Sequence, residues 1–395
     1  MNFYICGSSG DASDSNSLTV VQKEESIQIL HKLLDKQGST GRNLDNFSEE
    51  EKKTIDLLIQ LKILQIDSTN HVTLNFPFFT QADHKIMDKV VNKAAQTIVT
   101  KLTEKWDQIN KLIAQVGLPT KRSHNERGFL VLGCIILDWQ GLHWLSTNDV
   151  LVVTKPQPNG SRFLLIGSPH EVSVNTFKRY CFSSTHETVS WNYTVFGQAY
   201  HSRWVTPTIE MFIQQKLSGL QDIPSRIAKI IPRFVSTAID QYLDRLGNLL
   251  ASKTVSKKEF ADDLNLTDEG IENLSNYLLN NGFIEEEQNE WNRSVLVLSP
   301  EDQPKLDALM SICKQLVVES IQISLPELKE RYPQTTAGKH RVPFEEAMNE
   351  WWHEIFSRVI QLLIIEGKLQ PSFHNQDTHF GSFIWSNSLE LKVPM

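Results

Sequence analysis

The stretch TVSKKEFADDLNLTDEGIENLSNYLLNNGFIEEEQNEWNRSVLVL, residues 254–298, decides how the rest of this chain is read. Phe260 and Leu264 share one face of a short helical pattern over 257–264. Asn265 and Leu266 make a turn. Thr267 suits the cap of a second helix, whose inward residues are Ile271, Leu274 and Leu278. Steps of three and four gather these apolar groups into one stripe, so the two helices can close on each other across the turn. Gly282 follows, where a residue without a Cβ lets the chain turn left-handed out of the helix. Phe283-Ile284-Glu285 and residues 294–298 then read as strands around a polar wing at 286–293.

The same order occurs nearer the N-terminus. Residues 24–36 carry Ile27, Leu30, Leu33 and Leu34 on one helical face, and 38–47 form a loop. Ser48 and Glu51 have capping-box spacing at the start of a second helix, where each can satisfy a free backbone donor. Ile55, Leu58, Ile59 and Leu61 give that helix its buried stripe. Strand patterns at 64–67 and 71–75 flank the turn Ser68-Thr69-Asn70. The helix exit here, Leu61-Lys62-Ile63-Leu64, has no glycine. A third run follows near the C-terminus. It has helices at 302–322 and 325–331, a flexible insertion at 334–343, a long helix at 344–366 ended by Gly367, and a strand pair within 369–386.

These residues resemble the winged helix-turn-helix superfamily. The resemblance covers 252–299, and with less of the pattern 23–79 and 323–390. It implies that the second helix of each copy enters a DNA major groove while basic residues on helix ends and wing hold phosphates. In the first copy the candidate DNA contacts are Lys52, Lys53, Lys62 and His71, accompanied by Glu49, Glu50, Glu51 and Asp56. In the second copy the outward residues are Asp268, Glu269, Glu272, Asn273, Ser275 and Asn276, without a lysine or arginine. Its wing sets Glu285, Glu286, Glu287 and Glu290 against Arg293 alone. Carboxylates facing a phosphate backbone repel it. Asp268, Glu269 and Glu272 are therefore candidate partner-binding residues.

Between the copies lie other elements. Residues 83–116 repeat apolar positions at steps of three and four, from Ile86 through Val116, which predicts a helix of roughly 50 Å. Such a stripe needs a partner, so this helix is expected to be a brace or a dimer interface. Residues 119–205 form a central α+β domain with antiparallel strands expected at 150–154, 162–167, 179–184 and 190–196. Residues 129–144 fit helix and strand alike. Residues 206–251 form a helical connector, and 1–22 a mobile tail.

The 395 residues imply several domains, with 40% hydrophobic and 22% charged residues in the ordinary globular mix. A net charge of −8 opposes indiscriminate coating of nucleic acid. Only residues 119–205 are basic, net +3, with Lys121, Arg122, Arg127, Lys178 and Arg179; Lys216, Arg226, Lys229 and Arg233 continue the band along the connector. The apolar run 128–145 holds Asp138, Gln140 and His143, which favours a buried core segment over a membrane span. No secretory signal is evident, so a cytoplasmic location is expected. The four cysteines form no CxxC pair, and His124, His143, His170, His186 and His201 lack close metal-ligand spacing. Cys181 with His186 sketches at most a thiol–imidazole pair. P-loop, GxGxxG, GxSxG and HExxH motifs are absent. No enzyme activity, metal or cofactor is expected. The aromatics of 139–204 suit a sheet core, or a pocket for a planar or apolar effector.

The expected fold is α+β and mainly α, with multiple winged-helix modules flanking a central mixed domain, plus a long bracing helix. The expected function is that of a transcription-regulator-like protein, binding double-stranded DNA as a homodimer through the first module while the central domain senses a ligand or partner. The alternative is a non-enzymatic scaffold whose modules bind protein, through the acidic 267–281 helix, rather than DNA. Neither involves a membrane.

Overall fold

In the computed structural model the chain is described over residues 1–8, 16–34, 41–118, 122–170, 180–197, 240–241, 243–251, 255–263, 267–280, 282–287, 290–374 and 379–393. It is a mixed α and β fold, predominantly helical, with small and mainly antiparallel sheets.

The most apolar run becomes the central helix. Ser123 and Glu126 form a capping box, and His124–Gly128 passes into Phe129–Gln140, wound as a π-helix, and then Gly141–Thr147. Every residue of Phe129–Gln140 is buried. With no solvent face there is no apolar period, which is why the run fits helix and strand alike on sequence. Two helices, His124–Thr147 and Pro300–Gln334, are long and apolar enough to cross a membrane, but the most apolar window of the first is 94% buried inside the chain. It is a core helix. Gly141 is required by close packing, since a Cβ there would lie 2.5 Å from the Trp352 ring.

Three long helices wrap this one. Gln81–Glu104 opens with a Thr80–Asp83 capping box, breaks at Lys105 and resumes as Trp106–Gln115. Its buried stripe, including Met87, Val90, Ala94, Ile98 and Leu102, packs against Gln303–Arg331 and Phe344–Ile365. The chain's own helices therefore cover the stripe expected to brace or dimerise. Gln303–Arg331 continues through Pro326, so the boundary expected at 322 falls inside a helix. Residues 334–343, expected as a flexible insertion, form a hydrogen-bonded corner with a short helix. Thr335 caps Thr336–Lys339, the Thr336 N–H donates to Asp83 Oδ1 at 2.8 Å, and the Leu74 N–H donates to buried His340 Nδ1 at 3.4 Å. Burial pushes the His340 imidazole down to about 4, so it stays neutral and accepts that bond.

Two sheets flank the bundle, and both draw strands from distant parts of the chain. In the first, Asn2–Ser8 pairs antiparallel with Arg162–Ser168, which pairs with Lys155–Pro156. The start of the expected N-terminal tail is thus a paired strand; residues 9–15 lie outside the described residues. Residues 150–154 form no strand. In the second sheet His379–Ser386 lies between Leu296–Leu298, parallel, and Trp191–Gly197, antiparallel, with Phe182–Glu187 beyond. The expected C-terminal copy therefore gives its main strand to the central sheet and closes no module of its own. Phe373–His374 pairs with the start of that strand.

Side-chain alternation divides each sheet between two cores. Tyr4, Cys6, Leu164 and Ile166 face the helices, whereas Phe3, Ile5, Phe163 and Leu165 face the N-terminal module. Likewise Phe196, Phe383 and Trp385 face the helices, whereas Trp191, Tyr193, Val195, Phe380 and Ile384 face the second module.

The N-terminal module runs Glu24–Leu33, Arg42–Asn43, the 3-10 turn Leu44–Asn46, Glu49–Gln60, Leu64–Ile66 and His71–Leu74, with strand order first, third, second. The second module has the same plan. Helical residues 240–241 and 243–251 precede Val255–Ser256, Lys257–Asp263, Asp268–Asn280, Ile284–Glu287 and Glu290–Arg293. Here the return strand is Glu290–Arg293, not 294–298, because Trp291 turns into the module core while Leu296–Leu298 leaves for the central sheet. Most of the expected connector, 206–239, lies outside the described residues, as do Lys121, Lys178, Arg179, Lys216, Arg226, Lys229, Arg233 and His201.

Candidate functional site

The outward helix of the first module starts at Ser48, whose hydroxyl accepts from the Glu51 N–H at 3.3 Å while Glu51 Oε2 accepts from the Ser48 N–H at 3.0 Å. The same Glu51 carboxylate meets Lys32 of the preceding helix, and hydrogen bonds from Lys32 and Ser48 hold it below the usual carboxylate range. Lys52 turns back to Glu49 Oε1 at 2.8 Å. Of the candidate DNA contacts, Lys53 and Lys62 project into solvent and make no ion pair among the described residues. His71 opens the second strand of the hairpin, its Nδ1 3.0 Å from Thr69 Oγ1. Hydrogen bonds from Thr69 and from the His71 and Thr69 backbone pull the hairpin's Asp67 down to about 2, and Arg341 lies 3.5 Å from its Oδ2. The four candidates thus spread over helix, helix exit and hairpin, interleaved with exposed Glu49, Glu50 and Asp56. Leu57 and Ile66 are each 41% exposed on the same module.

The second module's outward helix follows Thr267, whose hydroxyl accepts from the Gly270 N–H at 3.1 Å. Asp268, Glu269, Glu272, Asn273, Asn276 and Asn280 are exposed, whereas Ser275, expected outward, is buried and donates to Glu286 Oε2 at 2.9 Å. Lys257 bridges this helix to the strand Ile284–Glu287, 3.2 Å from Glu272 Oε2 and 3.3 Å from Glu286 Oε1. Glu269 and Glu272 remain on one exposed face with Asp268.

The described part of the expected basic band is used internally. Arg122 donates to the Ser294 carbonyl at 2.7 Å and hydroxyl at 2.6 Å, and Arg127 donates to the Ala114 carbonyl at 2.7 Å. Both tie chain segments together.

Asp244 clamps the module to the sheet. Its Oδ1 accepts from the Thr188 hydroxyl and the Ser190 N–H, each at 2.6 Å, and hydrogen bonds from these neighbours hold its carboxyl low against the opposing effect of burial. Trp191 Nε1 donates to Asn248 Oδ1 at 2.9 Å, and the Tyr193 hydroxyl to the Leu243 carbonyl at 2.5 Å.

Two cavities meet at the central helix. The inner one, about 130 Å³, is lined by Tyr4, Cys6, Asp138, Cys181, Ser183 and His353 among others. Tyr4 hydrogen-bonds Glu350, and Trp139 Nε1 donates to Ser183 Oγ at 3.1 Å, which in turn donates to Asp138 Oδ2 at 2.9 Å. Burial pushes Asp138 up to about 8, against the Ser183 bond. The sketched Cys181–His186 pair does not form a unit: Cys181 lines this cavity, while His186 Nε2 lies 2.8 Å from Asp240 Oδ1. Among the described residues no group of three or more His, Cys, Asp or Glu is placed to hold a metal.

The outer cavity, about 570 Å³, is built from the same helix, residues 153–154, three strands and the C-terminal segment. Trp139, Trp385, Leu142 and Leu389 supply apolar lining, with His143, Glu187 and Lys392 also on its wall. Sequence alone flagged the aromatics of 139–204 but missed Trp385, Leu389 and Lys392, which no local pattern connects to residue 139.

No family model, curated protein or solved structure matches this chain.

Proposed function

We propose that this chain is a protein-interaction scaffold, with two winged-helix-like modules held on a helical body and acidic outward faces that engage protein. The order of elements and the strand order in both modules support the winged-helix assignment. The observation that carries the functional reading is the exposed face of Asp268–Asn280, whose own residues are carboxylates and amides with no cation, Lys257 pairing with Glu272 at its edge. Around it, residues 240–298 contain 12 acidic and 5 basic side chains. Such a field repels a polyanion and attracts a basic protein surface. Internal anchoring by Trp191, Tyr193 and Asp244 suits a rigid platform.

A second reading keeps the first module as a DNA contact, favoured by the exposed Lys53 and Lys62 beside its outward helix. Charge reversal separates the two. Partners are cross-linked in native extract and quantified for the wild type, Glu269→Lys/Glu272→Lys and Lys52→Glu/Lys53→Glu. The scaffold reading expects loss of specific protein partners in the first variant only. An unchanged partner set in that variant counts against it.

A further inference from the structure

We propose that the outer cavity beside the central helix binds a free aromatic α-amino acid in its zwitterionic form. This inference is independent of what the modules bind.

The apolar part of the cavity is preformed. Trp139 and Trp385 lie with ring centroids 5.6 Å apart and planes at 56°, and Phe383 backs Trp139 at 5.7 Å. Both indole N–H groups are already committed, Trp139 to Ser183 Oγ at 3.1 Å and Trp385 to Thr194 Oγ1 at 3.0 Å. The cavity therefore meets ring carbons rather than donors, the surface on which a flat hydrocarbon ring packs. Leu142, Leu389 and Leu391 complete this part. A volume of about 570 Å³ lies within the size range of small-molecule sites.

The polar groups define the other end of the ligand. His143 and Lys392 both line the cavity, and Lys392 is close enough to His143 to help hold its imidazole below the usual range, second to burial. Glu187 lines the same space from the end of the Phe182–Glu187 strand. The side chains of His143, Lys392 and Glu187 make no hydrogen bond or ion pair among the described residues, and Lys392 does not pair with Glu187. By contrast, the amides on the wall are satisfied: Asn192 donates to Asn387, which donates to the Thr188 and Val189 carbonyls at 2.8 and 2.9 Å. An ammonium-bearing lysine, an imidazole and a carboxylate, all without partners among the described residues and at the edge of an aromatic floor, match the carboxylate and ammonium of an amino acid whose ring occupies that floor. A purely anionic ligand would leave Glu187 repelling it; a purely cationic one would meet Lys392.

Isothermal titration of the full chain tests this with L-phenylalanine and L-tryptophan. The controls are phenethylamine and tryptamine, which lack the carboxylate, phenylacetate and indole-3-acetate, which lack the ammonium, and L-leucine, which lacks the ring. At least one aromatic amino acid is expected to bind saturably at one site, with every control weaker by about tenfold or more, the scale of one charge-assisted hydrogen bond. Lys392→Ala and Glu187→Gln, both at exposed side chains, are each expected to weaken binding by a similar factor. The proposal is overturned by no binding of either amino acid at millimolar concentration, by equal binding of any control, or by full affinity in either variant.

Discussion

Lys62 and Gly282 hold the same left-handed helix exit in the two modules, at φ 57° and 67°. In each, two backbone bonds close the helix. The Lys62 N–H donates to Ile59 at 2.9 Å and the Ile63 N–H to Leu58 at 2.8 Å, while the Gly282 N–H donates to Leu279 at 2.9 Å and the Phe283 N–H to Leu278 at 2.8 Å. Gly367, at φ 70°, ends Phe344–Ile365 with the same pair of bonds, to Ile364 and Leu363. A lysine in this conformation carries a steric cost of about 1–2 kcal/mol that glycine does not. Part of the gain on replacement is offset by the freer unfolded chain that glycine brings. Lys62→Gly is therefore expected to raise stability by at most about 1 kcal/mol. Gly282→Lys is expected to lower it by about 1 kcal/mol. Urea unfolding midpoints check both, and a destabilised Lys62→Gly would contradict the shared exit.

Arg358 joins two carboxylates on the inner helices. It lies 2.9 Å from Asp88 Oδ1 and 3.4 Å from Oε2 of Glu354, whose side chain is fully buried beside the His84 imidazole. Arg358→Met leaves that buried carboxylate with only the His84 imidazole beside it and is expected to cost up to about 3–5 kcal/mol. Adding Glu354→Gln removes the poorly compensated charge and is expected to recover most of the loss. Denaturant melts of the single and double variants decide this, and equal stability of the two would refute the pairing.

Asp138 predicts how stability varies with pH. Burial raises its folded pKa to about 8 from an ordinary 3.8. Below about pH 4 the carboxyl is protonated in both folded and unfolded chains. As pH rises from there towards 8 the unfolded chain ionises first, so the stability contributed by the neutral group is progressively lost. Asp138→Asn keeps a neutral group of similar shape. The variant is expected to be more stable than the wild type at pH 8, with the advantage shrinking towards pH 4. Thermal melts across that window test it; a constant difference would show that Asp138 does not titrate this way.

Gly247 sets how closely the second module sits on the central sheet. A Cβ there would lie 2.6 Å from Trp191 Cγ. Gly247→Val is expected to cost about 1–3 kcal/mol by forcing that contact apart. Hydrogen exchange should accelerate in 257–298 while 42–79 stays protected. Uniform acceleration across both modules would contradict independent docking on separate sheets.

The elements legible in the sequence are those fixed by local chemistry. Ser48 with Glu51 marks a helix start, Thr267 another, and the apolar steps from Phe260 to Leu278 mark a closed helix pair. What escaped is what depends on distant partners. Asn2–Ser8 is a strand because Arg162–Ser168 lies beside it, and His379–Ser386 belongs to the central sheet through Trp191–Gly197. Phe129–Gln140 hides its helical period because no side of it meets water. The outer cavity was half visible: Trp139 and His143 lie in a conspicuous run, but Trp385 and Lys392 reach it only through the sheet register. The acidity of 267–281 was legible in full, since charge on an exposed helical face needs no tertiary partner.

In the proposed function the modules present surfaces for protein and not for DNA. Its most direct test is fluorescence anisotropy of a labelled random-sequence duplex, titrated with the full chain at low and at physiological salt. No saturable binding is expected at either. Binding that weakens steeply with salt and disappears in Lys52→Glu/Lys53→Glu would contradict it and return the first module to DNA.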